Sequence, residues 1–95
     1  MTAYLICHMA REKRMKAADA RHLLAARVKE HWDRRAVELD GSWILQADCT
    51  SDEIRDDLLT HAGKGEVLLV VALGYDAAWN GLDPYEGDRL IEQIR

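Results

Sequence analysis

Residues 35–47 read Arg-Ala-Val-Glu-Leu, Asp-Gly, Ser-Trp-Ile-Leu-Gln-Ala, and this pair of strand-like runs joined by Asp-Gly constrains the chain more than any other stretch. Asp40 and Gly41 suit the two positive-φ positions of a type I′ turn, whose twist matches that of the strands it joins. The segment is therefore a β-hairpin. A two-stranded ribbon is marginal in water, so the flanking elements must supply further strands and a cover.

Upstream, Ala3 to Met9 is a short apolar run ahead of the charged cluster Arg11–Lys16, and its length fits a buried strand. From about Met15 to Trp32 the chain is rich in Ala, Leu, Arg and Lys and has no Gly or Pro. Ala17, Ala20, Leu24, Val28 and Trp32 fall there at helical spacing. Arg21 sits at the edge of that stripe, while Arg11, His22 and Lys29 lie on another side.

Downstream, Thr50-Ser51-Asp52-Glu53 reads as a capping box before Ile54, Leu58, Leu59 and Ala62, and Gly63-Lys64-Gly65 closes this second helix. Glu66 to Leu73 is almost wholly apolar and predicts a central strand. Gly74 to Pro84 reads as a loop. Asp83-Pro84 starts a short final helix with Leu90, Ile91 and Ile94 as its apolar side.

The order strand, helix, strand, strand, helix, strand predicts an α+β, ferredoxin-like βαββαβ fold. Its four-stranded antiparallel sheet carries two helices on one face, and a short C-terminal helix follows. Residues 1–95 form one domain with an appendage at about 74–95. The expectation is that the first and last strands lie in the middle of the sheet. The second sheet face is expected to be uncovered, with Trp43 or its alternate neighbours facing it, so that homodimerisation hides it.

Forty-eight per cent apolar and thirty-two per cent charged residues exclude a disordered or fibrous chain. No run approaches the ~20 apolar residues of a membrane span, and the N-terminus lacks a secretory pattern, so a cytoplasmic protein with no membrane partner is expected. Cys7 and Cys49 have no partner spacing for a disulfide scaffold or zinc site, and read as two small buried thiols. The net charge of −4 is uneven: residues 1–35 hold nine Lys/Arg against four acids, net +5, and residues 36–95 hold four against thirteen, net −9. A basic surface for phosphates, attraction between two copies and an ordinary solvated surface all fit this asymmetry.

Several segments resemble a known group. Tyr4-Leu5-Ile6, the hairpin Leu39 to Ile44, the helix start Thr50 to Leu58, Leu68 to Val71 and Trp79-Asn80-Gly81-Leu82 look like the small bacterial proteins labelled SinR-like, which are similar in fold to the CRISPR-associated protein two family. The resemblance implies a ferredoxin-like homodimer in which residues after the last strand help to complete the partner's sheet. In the CRISPR-associated relatives it further implies an aspartate at the end of the first strand, holding a divalent metal for phosphodiester hydrolysis. This chain departs there, with Cys7-His8-Met9-Ala10: Met9 or its neighbour His8 takes the aspartate's position, and a thioether cannot replace a hard oxygen ligand for Mg²⁺.

His8 is the remaining candidate for a catalytic base, and it otherwise reads as a surface or interface residue at a strand end. His22, His31 and His61 share no i, i+4 metal clip and read as helix-face residues. Glu53, Asp56 and Asp57 suit the positive end of a helix better than acid–base work. Gly63-Lys64-Gly65 ends a helix and is too short for a phosphate loop. Tyr75, Trp79 and Tyr85 read as packing residues, because no basic residue lies between Lys64 and Arg89.

The reading is a non-enzymatic homodimeric interaction module of bacterial or phage origin, without metal or cofactor. Nucleic acid, or a protein, is its expected partner class. Arg11, Lys13, Arg14, Lys16, Arg34 and Arg35 are the candidate nucleic-acid contacts. The alternative is a divalent-metal-dependent nuclease with an altered site, built from His8 and an acid such as Asp48 or Asp76. A ligand-sensing domain is a third class, since this superfold hosts many functions.

Overall fold

The hairpin forms where the Asp-Gly pair places it. β2 (Val37–Leu39) pairs antiparallel with β3 (Ser42–Ala47), Val37 opposite Ile44 and Leu39 opposite Ser42. The computed structural model describes residues 1–9, 17–39, 41–63, 65–74, 78, 80 and 84–94, without the side chains of 17–19 and 94. Asp40 lies outside them, but Gly41 has the positive φ, +85°, that the turn requires. A Cβ on Gly41 would also lie 3.2 Å from Cζ and Nη2 of Arg21. Gly41→Ala is therefore expected to cost about 1–2 kcal/mol, from the left-handed backbone and the displaced guanidinium together. Urea unfolding of the variant checks it, and a loss below about 0.5 kcal/mol would contradict this account of the turn.

β1 (Thr2–Met9) pairs antiparallel with β3 on one side and with β4 (Val67–Ala72) on the other, giving the strand order β2-β3-β1-β4. The chain is thus α+β, with an open four-stranded antiparallel sheet and three helices. β1 is central as expected, but β4 is not. It is an edge strand, paired among the described residues only with β1. Continuous apolar sequence reports what meets a strand's two faces, whereas its place in the sheet is set by backbone pairing along its edges.

α1 (Ala17–Arg27) continues directly into a π-helical turn, Val28–Trp32, closed by Asp33 N–H donating to Val28 O at 2.8 Å. α2 (Ser51–Ala62) starts at the predicted capping box, with Thr50 Oγ1 accepting from Glu53 N–H and the Glu53 carboxylate accepting from Thr50 N–H. Leu24, Val28, Ile54 and Leu58 from these helices meet Tyr4, Ile6, Trp43, Leu45 and Ala47 from the sheet, and all are buried. Trp43 is completely enclosed in this core, so it faces the helices and not the second sheet face. The alternation along β3 decides this, because Trp43 sits opposite Ile6 and shares its side.

The second face is not bare either. α3 (Pro84–Ile94) packs on it over β2 and β3, where Leu90 joins Val37 and Ile44. Polar pins fix its position. Gln93 Nε2 donates to Arg35 O at 2.6 Å, Arg89 Nη2 donates to the same oxygen at 2.9 Å, and Gln46 Nε2 donates to Gln93 O at 2.8 Å. α3, the helical part of the expected appendage, therefore covers the β2 and β3 side of the face expected to lie open. Among the described residues no helix is long and apolar enough to cross a membrane.

Candidate functional surfaces

Beyond α3, the outer face of β1 and β4 has no covering element among the described residues. Direct cross-strand pairs place Leu5 beside Val71, Cys7 beside Leu69 and Met9 beside Val67. Met9, Leu69 and Val71 are 52, 49 and 39 % exposed, which is unusual for large apolar side chains in a sheet. The same strand, β4, forms a sheet edge. An apolar face and an edge unpaired among the described residues thus coincide on one element, the combination that natural sheets ordinarily cover or break with charge.

His8 is on the opposite face of β1. Its side chain is fully enclosed on the helix side of the sheet, and its Nε2 lies 2.9 Å from Glu66 Oε2. It is therefore not a surface or interface residue. In this structure the ring is buried and its Nε2 is engaged by Glu66. Its Nδ1 has no hydrogen-bond partner among the described residues. Asp48 is exposed at the far end of β3, remote from His8 in register, since Thr2 pairs with Ala47. Asp76 lies outside the described residues.

Of the candidate nucleic-acid contacts, Arg34 and Arg35 are exposed in the turn between the π-helical segment and β2. Arg35 is held there by Asp33, whose Oδ1 accepts from Arg35 N–H at 2.9 Å while Oδ2 accepts from Gln46 N–H at 3.0 Å. Arg11, Lys13, Arg14 and Lys16 lie outside the described residues. So do Tyr75 and Trp79, whereas Tyr85 is exposed, with the Arg89 guanidinium 5.7 Å from its ring centroid.

The acids of α2 have structural partners. Glu53 completes the cap. Asp57 accepts two hydrogen bonds from Arg27, at 2.9 and 2.7 Å, and one from Trp32 Nε1 at 2.8 Å. The Arg27 hydrogen bonds hold the Asp57 carboxyl below the usual carboxylate range, with Trp32 adding to the effect against partial burial. No local pattern in the sequence discloses this clamp. Its members lie 25 and 30 residues from Asp57 in the chain.

Cys7 and Cys49 are free and half-buried, more open than expected. Burial, followed by the neighbouring Glu53 and Asp48, pushes the Cys49 thiol up and away from reactivity. His22, His31 and His61 are exposed on their helices. Among the described residues no cluster of His, Cys, Asp and Glu suits a metal ion. Comparison of the chain with protein-family models, curated proteins and solved structures gives no match.

Proposed function

We propose that this chain is a ferredoxin-like, SinR-like interaction module that works as a homodimer joined through the outer face of β1 and β4. The element order and the strand order β2-β3-β1-β4 support the split βαβ reading. The observation that carries the dimer is the exposed row Met9, Leu69 and Val71 along an edge strand. Two copies related by a two-fold axis bury this row twice, and the edge of β4, unpaired among the described residues, offers backbone groups to the partner.

An apolar contact of this kind resists salt, because screening acts on charges and not on buried carbon. Light scattering is therefore expected to give twice the chain mass of 10.8 kDa at both low and high salt. Leu69→Lys combined with Val71→Glu is expected to return the mass to that of one chain without loss of helical circular dichroism. Both side chains point away from the core, so the fold survives their replacement. A wild-type chain that runs as a monomer at about 100 μM would overturn the reading.

Nucleic acid is the partner class favoured by the exposed Arg34 and Arg35 next to a basic N-terminal third. Adding a short duplex in the same experiment tests it. Binding is expected at low salt and is expected to fall steeply with added salt, as counterion release requires. Charge reversal at Arg11, Lys13 and Arg14 should flatten that dependence. A dimer indifferent to duplex at low salt would transfer the weight to a protein partner while leaving the dimer reading intact.

A further inference from the structure

On the other side of the sheet, α1 and β2 enclose a groove of about 460 Å³ lined by Arg21, His22, Ala25, Ala26, Lys29 and Glu38. The helix makes this groove by spacing. Arg21, Ala25 and Lys29 follow at four-residue intervals, with His22 and Ala26 in the adjoining row, so small methyl groups form a floor between longer basic side chains. Arg21 and Lys29 are eight residues apart, about 12 Å along the axis, a span their two long side chains can close upon one small group. Lys29 stands on the π-helical turn, and such turns recur at binding sites.

The charges of the groove are unspent. The neighbouring Arg27 is committed to Asp57, whereas neither Arg21 nor Lys29 has a hydrogen bond or ion pair among the described residues. Arg21 Nε is buried from water and unpartnered. A buried donor left unsatisfied is costly and rare, and it marks the Arg21 guanidinium as a group without a protein partner among the described residues. The guanidinium is also placed in advance, packed against Gly41 at the hairpin turn. Across the groove Glu38 is tethered by Trp43 Nε1–H, which donates to its Oε1 at 3.2 Å. Among the described residues the groove thus presents two cationic side chains, Arg21 placed at the hairpin turn and Lys29 exposed on the helix, against the single carboxylate of Glu38. Glu38 repels a second anionic group and accepts hydrogen bonds from hydroxyls, so the pattern suits one phosphate attached to a hydroxylated body.

We propose that this groove binds a sugar phosphate, its phosphate monoester held between Arg21 and Lys29, its sugar resting on Ala25 and Ala26 with hydroxyls toward Glu38. The phosphate brings a charge of about −1.5 to −2 and acceptor oxygens that match the guanidinium fork. This goes beyond the dimer reading and does not depend on it, because α1 and the Leu69–Val71 face lie on opposite sides of the sheet.

Titration calorimetry of the full chain with AMP and ribose 5-phosphate tests it, with adenosine as the uncharged control. Both phosphates are expected to saturate one site per chain, and adenosine is expected not to bind. Arg21→Gln and Lys29→Gln should each weaken AMP by at least about tenfold, the scale of a lost charge-assisted hydrogen bond. Arg55→Gln, on α2 away from the groove, should leave it unchanged. Lys29 is exposed, so its variant keeps the test decisive even if Arg21→Gln unfolds. Displacement of AMP by a 5′-phosphorylated but not a 5′-hydroxyl oligonucleotide would assign the group to a strand end; no displacement by either would assign it to a free sugar phosphate. Absence of AMP binding at about 10 mM, equal binding of adenosine, or unchanged affinity in Lys29→Gln overturns the proposal.

Discussion

Trp43→Ala is expected to lower the stability of the domain by about 3–5 kcal/mol, the largest loss available to a single substitution here. The indole is wholly enclosed between the sheet and the helices, opposite Ile6 and in one cluster with Leu24, Val28, Ile54 and Leu58. Its removal forfeits the transfer free energy of a large aromatic and leaves a cavity that rigid strand neighbours cannot close. The Glu38 carboxylate also loses its indole donor. Against a total stability of about 5–15 kcal/mol, such a loss removes a large part of the margin. With m near 2 kcal/mol/M, the urea midpoint should fall by roughly 2 M. Trp43→Phe, which keeps most of the volume but not the N–H, should lose markedly less. A loss under about 1 kcal/mol for the alanine variant would mean that the helices do not pack on this face.

The second large effect is at Asp57, where the expected outcome depends on pH. Its carboxylate joins Arg27 on α1, Trp32 on the π-helical turn and its own helix α2, and so fastens the two long helices together. Asp57→Asn removes the charge from a bidentate pair and is expected to cost about 1–3 kcal/mol at pH 7, nearer the lower bound because both partners retain some contact with water. The folded carboxyl titrates below its unfolded value, first because of the Arg27 hydrogen bonds. A depressed value means that its stabilisation is complete above the unfolded carboxylate range near pH 4, and is lost as pH falls through the folded value. The gap between wild type and Asp57→Asn should therefore be constant from pH 7 to 5 and narrow progressively below pH 4. Unfolding curves at pH 7, 5 and 3 check this, and a gap unchanged at pH 3 would contradict the clamp.

Both effects concern residues whose importance the sequence discloses unequally. Trp43 stands in a clear strand, yet which sheet face it occupies depends on register with β1. Asp57 reads locally as an acid favouring the positive end of a helix, and its real partners come from elements packed against it. The candidate surfaces divide in the same way. The basic character of the first third and the apolar run Val67–Leu73 are visible in the chain, whereas the coincidence of that run with a sheet edge is not. His8 drew attention as a possible base because it stands at the end of the first strand, where the family resemblance places an aspartate, and because an imidazole can act as a base near neutrality. In the fold it is a core group paired with Glu66, 58 residues away.

What the sequence determined by itself is what is stabilised within a few residues. The positive φ at Gly41, the reciprocal hydrogen bonds of Thr50 and Glu53, and the buried spacing of Ala20, Leu24 and Val28 each follow from backbone sterics, capping or helical periodicity. Tertiary structure alone decided that β4 lies at the edge, that α3 folds back over β2 and β3, and that Arg21 and Lys29 face Glu38 across a groove. These depend on contacts between residues far apart in the chain. Their energies are set by which apolar faces are left after the local elements form, and by which competing packing buries the most of them.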